Sequence, residues 1–220
     1  MKKLLFLVVM TMLVSSIALA APLTNYSFPH FEADVKVKGL GQVTPSSTIQ
    51  NYFTNANYNF AYDLGATVGL GAGFAMNAQL TTDKLKTTSN LPTNYSSLEA
   101  NLMYNVFSAP LLPNLNVFAG VVENFNGDVS LQNVQNNAVA NNFGWQAGAN
   151  VSYNIVLATI YASGAYGNTR LTYEAGLSVP IAMVFSIDAG YKVTQYGGTI
   201  DNSANSLTFA GPFVGASFGF

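Results

Sequence analysis

The stretch Phe213-Val-Gly-Ala-Ser-Phe-Gly-Phe220, at the end of the chain, alternates strictly between two kinds of side chain. Side chains of a strand repeat every two residues, so alternate positions share one face. One face is apolar and carries Val214, Ala216, Phe218 and Phe220. The other face is small and polar and carries Gly215, Ser217 and Gly219. The pattern predicts a strand with one side against an apolar environment.

The segment from residue 31 to residue 39 shows the same alternation with charged residues. Its odd positions are apolar or small: Phe31, Ala33, Val35, Val37 and Gly39. Its even positions are all charged: Glu32, Asp34, Lys36 and Lys38. On a water-soluble protein such a strand has a solvated face above a core. In a closed barrel it has a charged wall inside and a lipid-facing band outside.

Alternation along the chain predicts ten antiparallel strands. They lie at residues 31–41, 56–66, 70–83, 97–107, 114–124, 143–155, 157–166, 170–179, 183–195 and 207–220. Most are long enough to cross the hydrocarbon layer, for which a tilted strand needs about 9–11 residues. Two of them, 114–124 and 157–166, carry apolar residues on both faces. If those two are not strands of the barrel, eight strands remain as the alternative.

The composition favours a surface that faces lipid. Charged residues make up 8% of the 220 residues, while 50% are hydrophobic; ordinary globular proteins carry about 25% charged residues. A net charge of −2 without a clustered basic face excludes nucleic acid as a partner. The absence of cysteine excludes disulfides, thiolate metal sites and cysteine nucleophiles.

The N-terminus has the anatomy of a secretory signal peptide. Lys2 and Lys3 precede an apolar run over residues 4–17, and small residues at 18–20 form a cleavage site. The run is shorter than the about 20 apolar residues of a spanning helix. We therefore expect a cleaved signal peptide at 1–20, a periplasmic lead segment at 21–30 and a barrel at 31–220. No other apolar run is long enough, so membrane spans must be strands.

The predicted connections alternate between long and short. The long ones are 42–55, 84–96, 125–142 and 196–206, and the short ones are 67–69, 108–113, a break near 156, and 180–182. This sorting is typical of barrels with long outer loops and short periplasmic turns. The brief connection at 167–169 is the exception among the outer loops.

Together, the signal peptide, the alternating strands, the loop asymmetry and the terminal Phe220 resemble small bacterial outer-membrane β-barrels of the OmpA-transmembrane and opacity-protein type. The resemblance implies an all-β, closed, up-and-down transmembrane barrel in the cell outer membrane of a Gram-negative-type envelope. It also implies a C-terminal signal, Val214, Ala216, Phe218 and Phe220, that the outer-membrane assembly machinery reads. Proteins of this type act as envelope stabilisers, adhesins or narrow channels.

Nine charged residues share the predicted inner face of the barrel. They are Glu32, Asp34, Lys36, Lys38, Asp63, Glu99, Glu174, Asp188 and Lys192. A lysine or arginine on the lipid face near the midplane costs about 2–4 kcal/mol, which explains this segregation. Charges paired across the lumen plug the barrel. Many inner positions are Gly, Ser, Asn or Ala, which fill space poorly, so a narrow porin-like channel for small solutes is the alternative.

No enzymatic activity, cofactor or metal site is predicted. General acid–base catalysis most often uses histidine, and the single histidine, His30, precedes the first strand on the periplasmic side. The stretch Gly69-Leu-Gly-Ala-Gly73 is similar to a dinucleotide-binding fingerprint, but Phe74 replaces its third glycine and no helix follows. We interpret this stretch as a tight turn.

The outer surface and the loops supply the expected partners. Outer-membrane lipids are expected to contact interface aromatics, namely Tyr58, Trp145, Tyr153, Tyr173 and Tyr191. The Asn-rich connection at 125–142 is a candidate surface for host or cell-surface ligands, because loop tips vary without disturbing a scaffold. The sequence thus predicts a non-enzymatic envelope structural or surface protein with a charge-paired lumen, with an adhesin as the second alternative.

Overall fold

The computed structural model describes residues 30–38, 42–45, 57–86, 93–109, 112–125, 143–155, 157–182, 184–197 and 206–219. These residues form eleven strands: β1 (His30–Lys38), β2 (Gln42–Pro45), β3 (Asn57–Gly71), β4 (Phe74–Lys86), β5 (Thr93–Phe107), β6 (Asn114–Phe125), β7 (Phe143–Ile155), β8 (Ala158–Gly167), β9 (Arg170–Ala182), β10 (Phe185–Tyr196) and β11 (Leu207–Gly219). Within the described part of the chain, no helix is long and apolar enough to cross a membrane.

The strands close into one antiparallel barrel. From β3 to β11 each strand pairs with the next, and β1 pairs with both β3 and β11. By pairing with both β3 and β11, β1 joins the two edges of the sheet, which a lipid environment favours because it offers no water to unpaired backbone groups. β1 and β2 lie along the same side of β11, opposite residues 213–219 and 207–210. They occupy one position in the barrel, so the prediction of ten strands is confirmed and the eight-strand alternative is wrong.

The predicted first strand, residues 31–41, corresponds to two described strands, β1 and β2. Lys38 pairs with Phe213 and Gln42 pairs with Ala210, so the register along β11 shifts by one residue between β1 and β2. Among the described residues, Pro212 pairs with Tyr191 of β10 alone. Proline has no amide donor for a ladder and therefore sits at edges or bulges. The predicted end at residue 41 is thus too early, because pairing resumes through Pro45.

The predicted turn at 67–69 is wrong, because β3 continues to Gly71. The chain reverses through Gly71, Ala72 and Gly73, whose φ angles are 84°, 53° and 84°. Glycine reaches this left-handed region at little cost, and hairpin turns require it. The next strand accordingly begins at Phe74 rather than at residue 70. The predicted connection at 84–96 is also too long, since β4 runs to Lys86 and β5 begins at Thr93.

The connections leave the barrel at two ends. Those at 46–56, 87–92, 126–142, 168–169 and 197–206 define the long-loop end, and those at 72–73, 108–113, 156–157 and 183–184 define the short-turn end. The connection at 168–169 is brief, as the sequence predicts. The predicted signal peptide at 1–20, nearly all of the lead segment at 21–30, and Phe220 lie outside the described residues.

The two faces of the barrel wall reverse the usual arrangement of a soluble protein. Large apolar side chains are exposed outside, among them Met76, Leu102 and Val214, while buried polar and charged groups fill the inside. Glu123 is an exception, exposed on the outer face two residues before the end of β6. That position is close to the long-loop end, where a charge on the lipid face costs only about 0–1 kcal/mol.

Candidate functional site in the barrel lumen

A chain of ion pairs begins in the middle of the lumen. Lys36 Nζ of β1 donates to Glu174 Oε1 of β9 at 2.7 Å. Lys192 Nζ of β10 lies 3.9 Å from Glu174 Oε2 and donates to Asp63 Oδ2 of β3 at 2.7 Å. In each of the four strands, the residues next to the charged one point outward and are apolar. The four charged side chains therefore point into the lumen, where they meet. The pairs connect four strands of the wall.

The chain of ion pairs continues toward the long-loop end. Lys38 Nζ lies 3.2 Å from Asp63 Oδ1 and donates to Asp83 Oδ1 at 2.8 Å. Tyr196 of β10 donates its hydroxyl to Asp83 Oδ2 of β4 at 2.8 Å, which links distant parts of the wall. The Tyr196 ring stacks on Tyr95 with 5.8 Å between centroids. Phe209 meets Tyr196 edge to face at 5.7 Å. These buried rings close the lumen above the ion pairs.

A second network joins β9, β5 and β7 across the lumen. Arg170 donates to Glu99 Oε1 at 3.1 Å and to Ser97 Oγ at 2.6 Å. Gln146 Nε2 donates to Glu99 and, at 2.8 Å, to Asn101 Oδ1. Arg170 is 2% exposed, so its guanidinium is removed from water and depends on these partners. The network fixes the distance between facing strands.

Glycines of the inner face make room for large neighbours instead of leaving space for solvent. A Cβ on Gly176 would lie 2.8 Å from Tyr161 Cζ, and a Cβ on Gly190 would lie 2.7 Å from Phe213 Cζ. A Cβ on Gly215 would lie 2.8 Å from Lys36 Cγ. In each case the large side chain leans over the glycine of an adjacent strand. The small inner residues that favoured a channel in the sequence therefore accommodate filling groups.

The short-turn end of the lumen is closed by smaller groups. Ala75 and Met103 are buried together, and Phe118 packs against them. On the wall of β9, β10 and β11, a hydroxyl chain runs from Ser178 through Ser186 and Ser217 to Asp188 Oδ2, with successive distances of 3.0, 2.7 and 2.7 Å. This end contains no ion pair among the described residues.

A cavity of about 90 Å³ remains between the two ends. Its charged lining groups are Glu32, Asp34, Lys36, Glu99, Glu174 and Lys192. A water molecule takes about 30 Å³ in the liquid, so the cavity has room for a few waters.

All nine predicted lumen residues lie on the inner face, but the structure pairs only six of them. Lys36, Lys38, Asp63, Glu99, Glu174 and Lys192 form ion pairs. Glu32, Asp34 and Asp188 form none with any described residue. Asp83 and Arg170 also form ion pairs in the lumen, although both stand at the limits of predicted strands and are not among the nine predicted residues. Thr81 and Thr172 lie on the inner faces of their predicted strands. Asp83 is two residues after Thr81 and Arg170 is two residues before Thr172, so the alternation places both on the inner face.

The predicted interface aromatics with described side chains lie on the outer face. Trp145, Tyr153, Tyr173 and Tyr191 are exposed, and Trp145 meets Tyr166 edge to face at 6.2 Å. The side chain of Tyr58 lies outside the described residues. Val214 and Phe218 of the predicted C-terminal signal are also exposed outside, while Ala216, on the same face, is partly buried.

The described side chains form no metal constellation. No group of three or more His, Cys, Asp or Glu residues in that part of the chain is arranged to hold a metal ion. The side chain of His30 lies outside the described residues, although its backbone begins β1.

Comparisons with known proteins support the fold. No family model and no curated protein matches the sequence. Among solved structures, the chain is similar to the outer membrane protease OmpT from Escherichia coli, with 10% identity, a TM-score of 0.53, and coverage of 87% of this chain and 97% of that chain.

Two further solved structures have TM-scores below that of OmpT. Neisserial surface protein A shows 13% identity, a TM-score of 0.42, and coverage of 87% of this chain and 97% of that chain. Ail, the attachment invasion locus protein of Yersinia pestis, shows 13% identity, a TM-score of 0.39, and coverage of 87% and 99%. At these identities the likeness concerns the fold alone. The likeness to OmpT shows the fold, a closed antiparallel β-barrel such as outer-membrane proteins have.

Proposed function

We propose that this barrel is a non-enzymatic structural protein of the cell outer membrane whose lumen is sealed by paired charges. In this proposal the segment 1–20 directs export and is cleaved, and the assembly machinery reads the apolar face of β11 ending in Phe220. Outer-membrane lipids then contact the exposed apolar band and its aromatic side chains. The long-loop end presents its connections to the outside of the cell.

The observation that carries the proposal is the pair of networks that cross the lumen. Arg170, Lys192 and Tyr196 are each at most 2% exposed, and their partners lie on distant strands. A conducting pore needs a continuous wet path, whereas these side chains occupy the cross-section at the level of the networks. Inside a low-dielectric wall, opening the path means separating charges that no longer have water around them. The sealed state is therefore favoured over a channel.

Single-channel recording in planar bilayers tests the seal. Wild-type protein is expected to show no regular openings. The double variant Arg170→Ser with Glu99→Ser removes both partners, so it shortens the cross-lumen groups without leaving one buried charge unpaired. It is expected to open a measurable path. The matched control is Glu123→Gln, which changes a charge on the outer face and should stay closed. Regular openings of wild-type protein would overturn the sealed barrel in favour of the narrow channel.

An adhesin is the second candidate function, favoured by the connection between β6 and β7. Residues 126–142 are rich in asparagine and contain a single charged residue, Asp128. Proteins that bind through loops on a rigid scaffold tolerate change in those loops. Deletion of residues 128–140 is expected to abolish attachment to host cells or matrix while the folded band still shifts on heating in a gel. Unchanged attachment would remove this candidate.

A further inference from the structure

The inner wall carries more carboxylates than cations. Its described carboxylates are Glu32, Asp34, Asp63, Asp83, Glu99, Glu174 and Asp188, seven in all, and its described cations are Lys36, Lys38, Arg170 and Lys192, four in all. Every one of these cations already pairs with Asp63, Asp83, Glu99 or Glu174. Seven minus four leaves three carboxylates without a cation. These three are Glu32, Asp34 and Asp188.

Glu32 is the most constrained of these carboxylates. It is 4% exposed and lines the lumen cavity, yet it forms no hydrogen bond or ion pair with any described residue. The charges that act on it most strongly are the carboxylates of Asp34 and Asp188, ahead of the ammonium of Lys36. A carboxylate in this position is desolvated and repelled by its neighbours at the same time.

Asp188 gives a second, independent indication of a missing partner. Its side chain is completely buried, and its Oδ2 accepts the hydrogen bond that ends the serine chain at Ser217. Its Oδ1 has no hydrogen-bond partner. Buried acceptors are nearly always satisfied by protein, water or an ion. Asp188 does not line the cavity, but its charge acts on Glu32, which does, so a positively charged group from solution beside Glu32 would offset both carboxylates.

The cavity limits what this group can be. With a volume of about 90 Å³, it has room for one small ion and a few waters. Among the described residues, no three acidic side chains are close enough to coordinate a metal ion directly. Ca²⁺ takes about six to eight oxygen ligands, and Mg²⁺ requires octahedral geometry and gives up its water reluctantly. A monovalent cation brings a single charge to the two unpaired carboxylates of the cavity, Glu32 and Asp34. We propose that the lumen binds a partly hydrated alkali cation between Glu32 and Asp34.

This site goes beyond the structural function and does not depend on it. The bound cation would neutralise the short-turn half of the lumen from inside, whether or not a solute can pass the ion pairs above it. Its readout is the thermal stability of the folded barrel, while the sealed lumen is read by conductance. Failure of one proposal is therefore distinguishable from failure of the other.

Thermal unfolding in different salts tests the site. Folded protein in a neutral detergent is heated in sodium or potassium chloride, and in N-methylglucamine chloride of equal ionic strength, near neutral pH. The midpoint of the heat-induced gel shift is expected to rise by several degrees with the alkali ion, and the rise should saturate. An equal midpoint in all salts would overturn the site, because protons alone would then neutralise the carboxylates.

Charge-neutral variants locate the effect. The double variant Glu32→Gln with Asp34→Asn keeps side-chain size and should lose the salt-specific rise, while Glu123→Gln on the outer face should retain it. If the double variant does not fold, Glu32→Gln alone should show a reduced rise. A rise that persists in these lumen variants would overturn the site. In crystals grown with a thallous salt, an anomalous peak is expected in the cavity beside Glu32, and its absence would contradict the proposal.

Discussion

The two halves of the lumen differ in how they handle buried charge. Toward the long-loop end, each cation pairs with carboxylates from other strands, and the rings of Tyr95, Tyr196 and Phe209 cover the pairs. Toward the short-turn end, Asp188 accepts a hydrogen bond from Ser217, and Glu32 lines the cavity. The paired half connects strands that are far apart along the wall. The unpaired half is the one that we propose binds a cation from solution. Removing one charge should therefore lower the free energy of unfolding in the paired half and raise it in the unpaired half.

Loss of one partner in the paired half should have the largest effect. Arg170→Ala leaves Glu99 buried without its cation, which should lower the free energy of unfolding by about 3–5 kcal/mol. The single tryptophan, Trp145, lies on the lipid-facing surface, so its fluorescence reports urea-induced unfolding in lipid vesicles. Arg170→Met with Glu99→Leu should regain most of the loss. A single variant as stable as wild type would show that the ion pair does not hold the two walls together.

Loss of the hydroxyl at the top of the paired half should have a smaller effect. Tyr196→Phe keeps the ring contacts with Tyr95 and Phe209 but removes the donor to Asp83 Oδ2. Hydrogen bonds to charged groups contribute about 1.5–3 kcal/mol, so the free energy of unfolding should fall by this amount. Tyr191→Phe on the outer face is the matched control and should change little. Equal effects of the two variants would mean that the Tyr196 hydroxyl is not a cross-lumen contact.

The glycines beneath large side chains predict a further difference. Gly176→Ala places a methyl group 2.8 Å from the ring of Tyr161 and 2.8 Å from the backbone oxygen of Ala189, which should lower stability by about 1–3 kcal/mol through overpacking. Gly164→Ala is the control, because the nearest atom to its added Cβ is 4.0 Å away. The same urea titration measures both. If Gly176→Ala were neutral, the lumen would be looser at this level than the packing implies.

The smallest expected effect has the opposite sign and lies in the unpaired half. Glu32→Gln removes a repelled carboxylate, so in buffer without alkali ions it should raise the free energy of unfolding by less than about 1 kcal/mol. Glu99→Gln, in the paired half, should lower it under the same conditions because Arg170 loses its counter-charge. Destabilisation by both variants would erase the proposed difference between the halves.

The sequence allows most of the fold to be predicted because lipid makes the side-chain alternation unusually clean. Strands such as β1 and β9 read directly as one charged or small face and one apolar face. Strands β6 and β8 are less clear because Phe118, Val122 and Tyr161 fill the lumen and make the inner face apolar as well. Likewise, glycines at 69, 71 and 73 offered several turn positions, and only the backbone shows that the reversal uses Gly71 to Gly73.

Residue types on the inner face were predictable, but their partners were not. Which carboxylate meets which ammonium depends on the stagger of the strands around the barrel. Lys36 therefore meets Glu174, 138 positions away, although Glu32 and Asp34 share its own strand face. Asp83 and Arg170 were missed since strand ends are the least certain part of an alternating pattern. The space over Gly176 and Gly215 is filled by Tyr161 and Lys36 of adjacent strands. This filling could not be predicted because it also depends on the stagger of the strands.

Spin-label accessibility along β5 tests the central claim most directly, because the chain has no native cysteine to remove. Single labels at Leu98 and Leu102 report the outer face, and labels at Ser97 and Asn101 report the lumen. In vesicles, the outer labels should collide strongly with oxygen and weakly with a water-soluble nickel chelate. The lumen labels should be poorly accessible to both reagents. Strong collision of the lumen labels with the chelate, or no alternation between the two sets, would contradict a lipid-embedded barrel with a sealed interior.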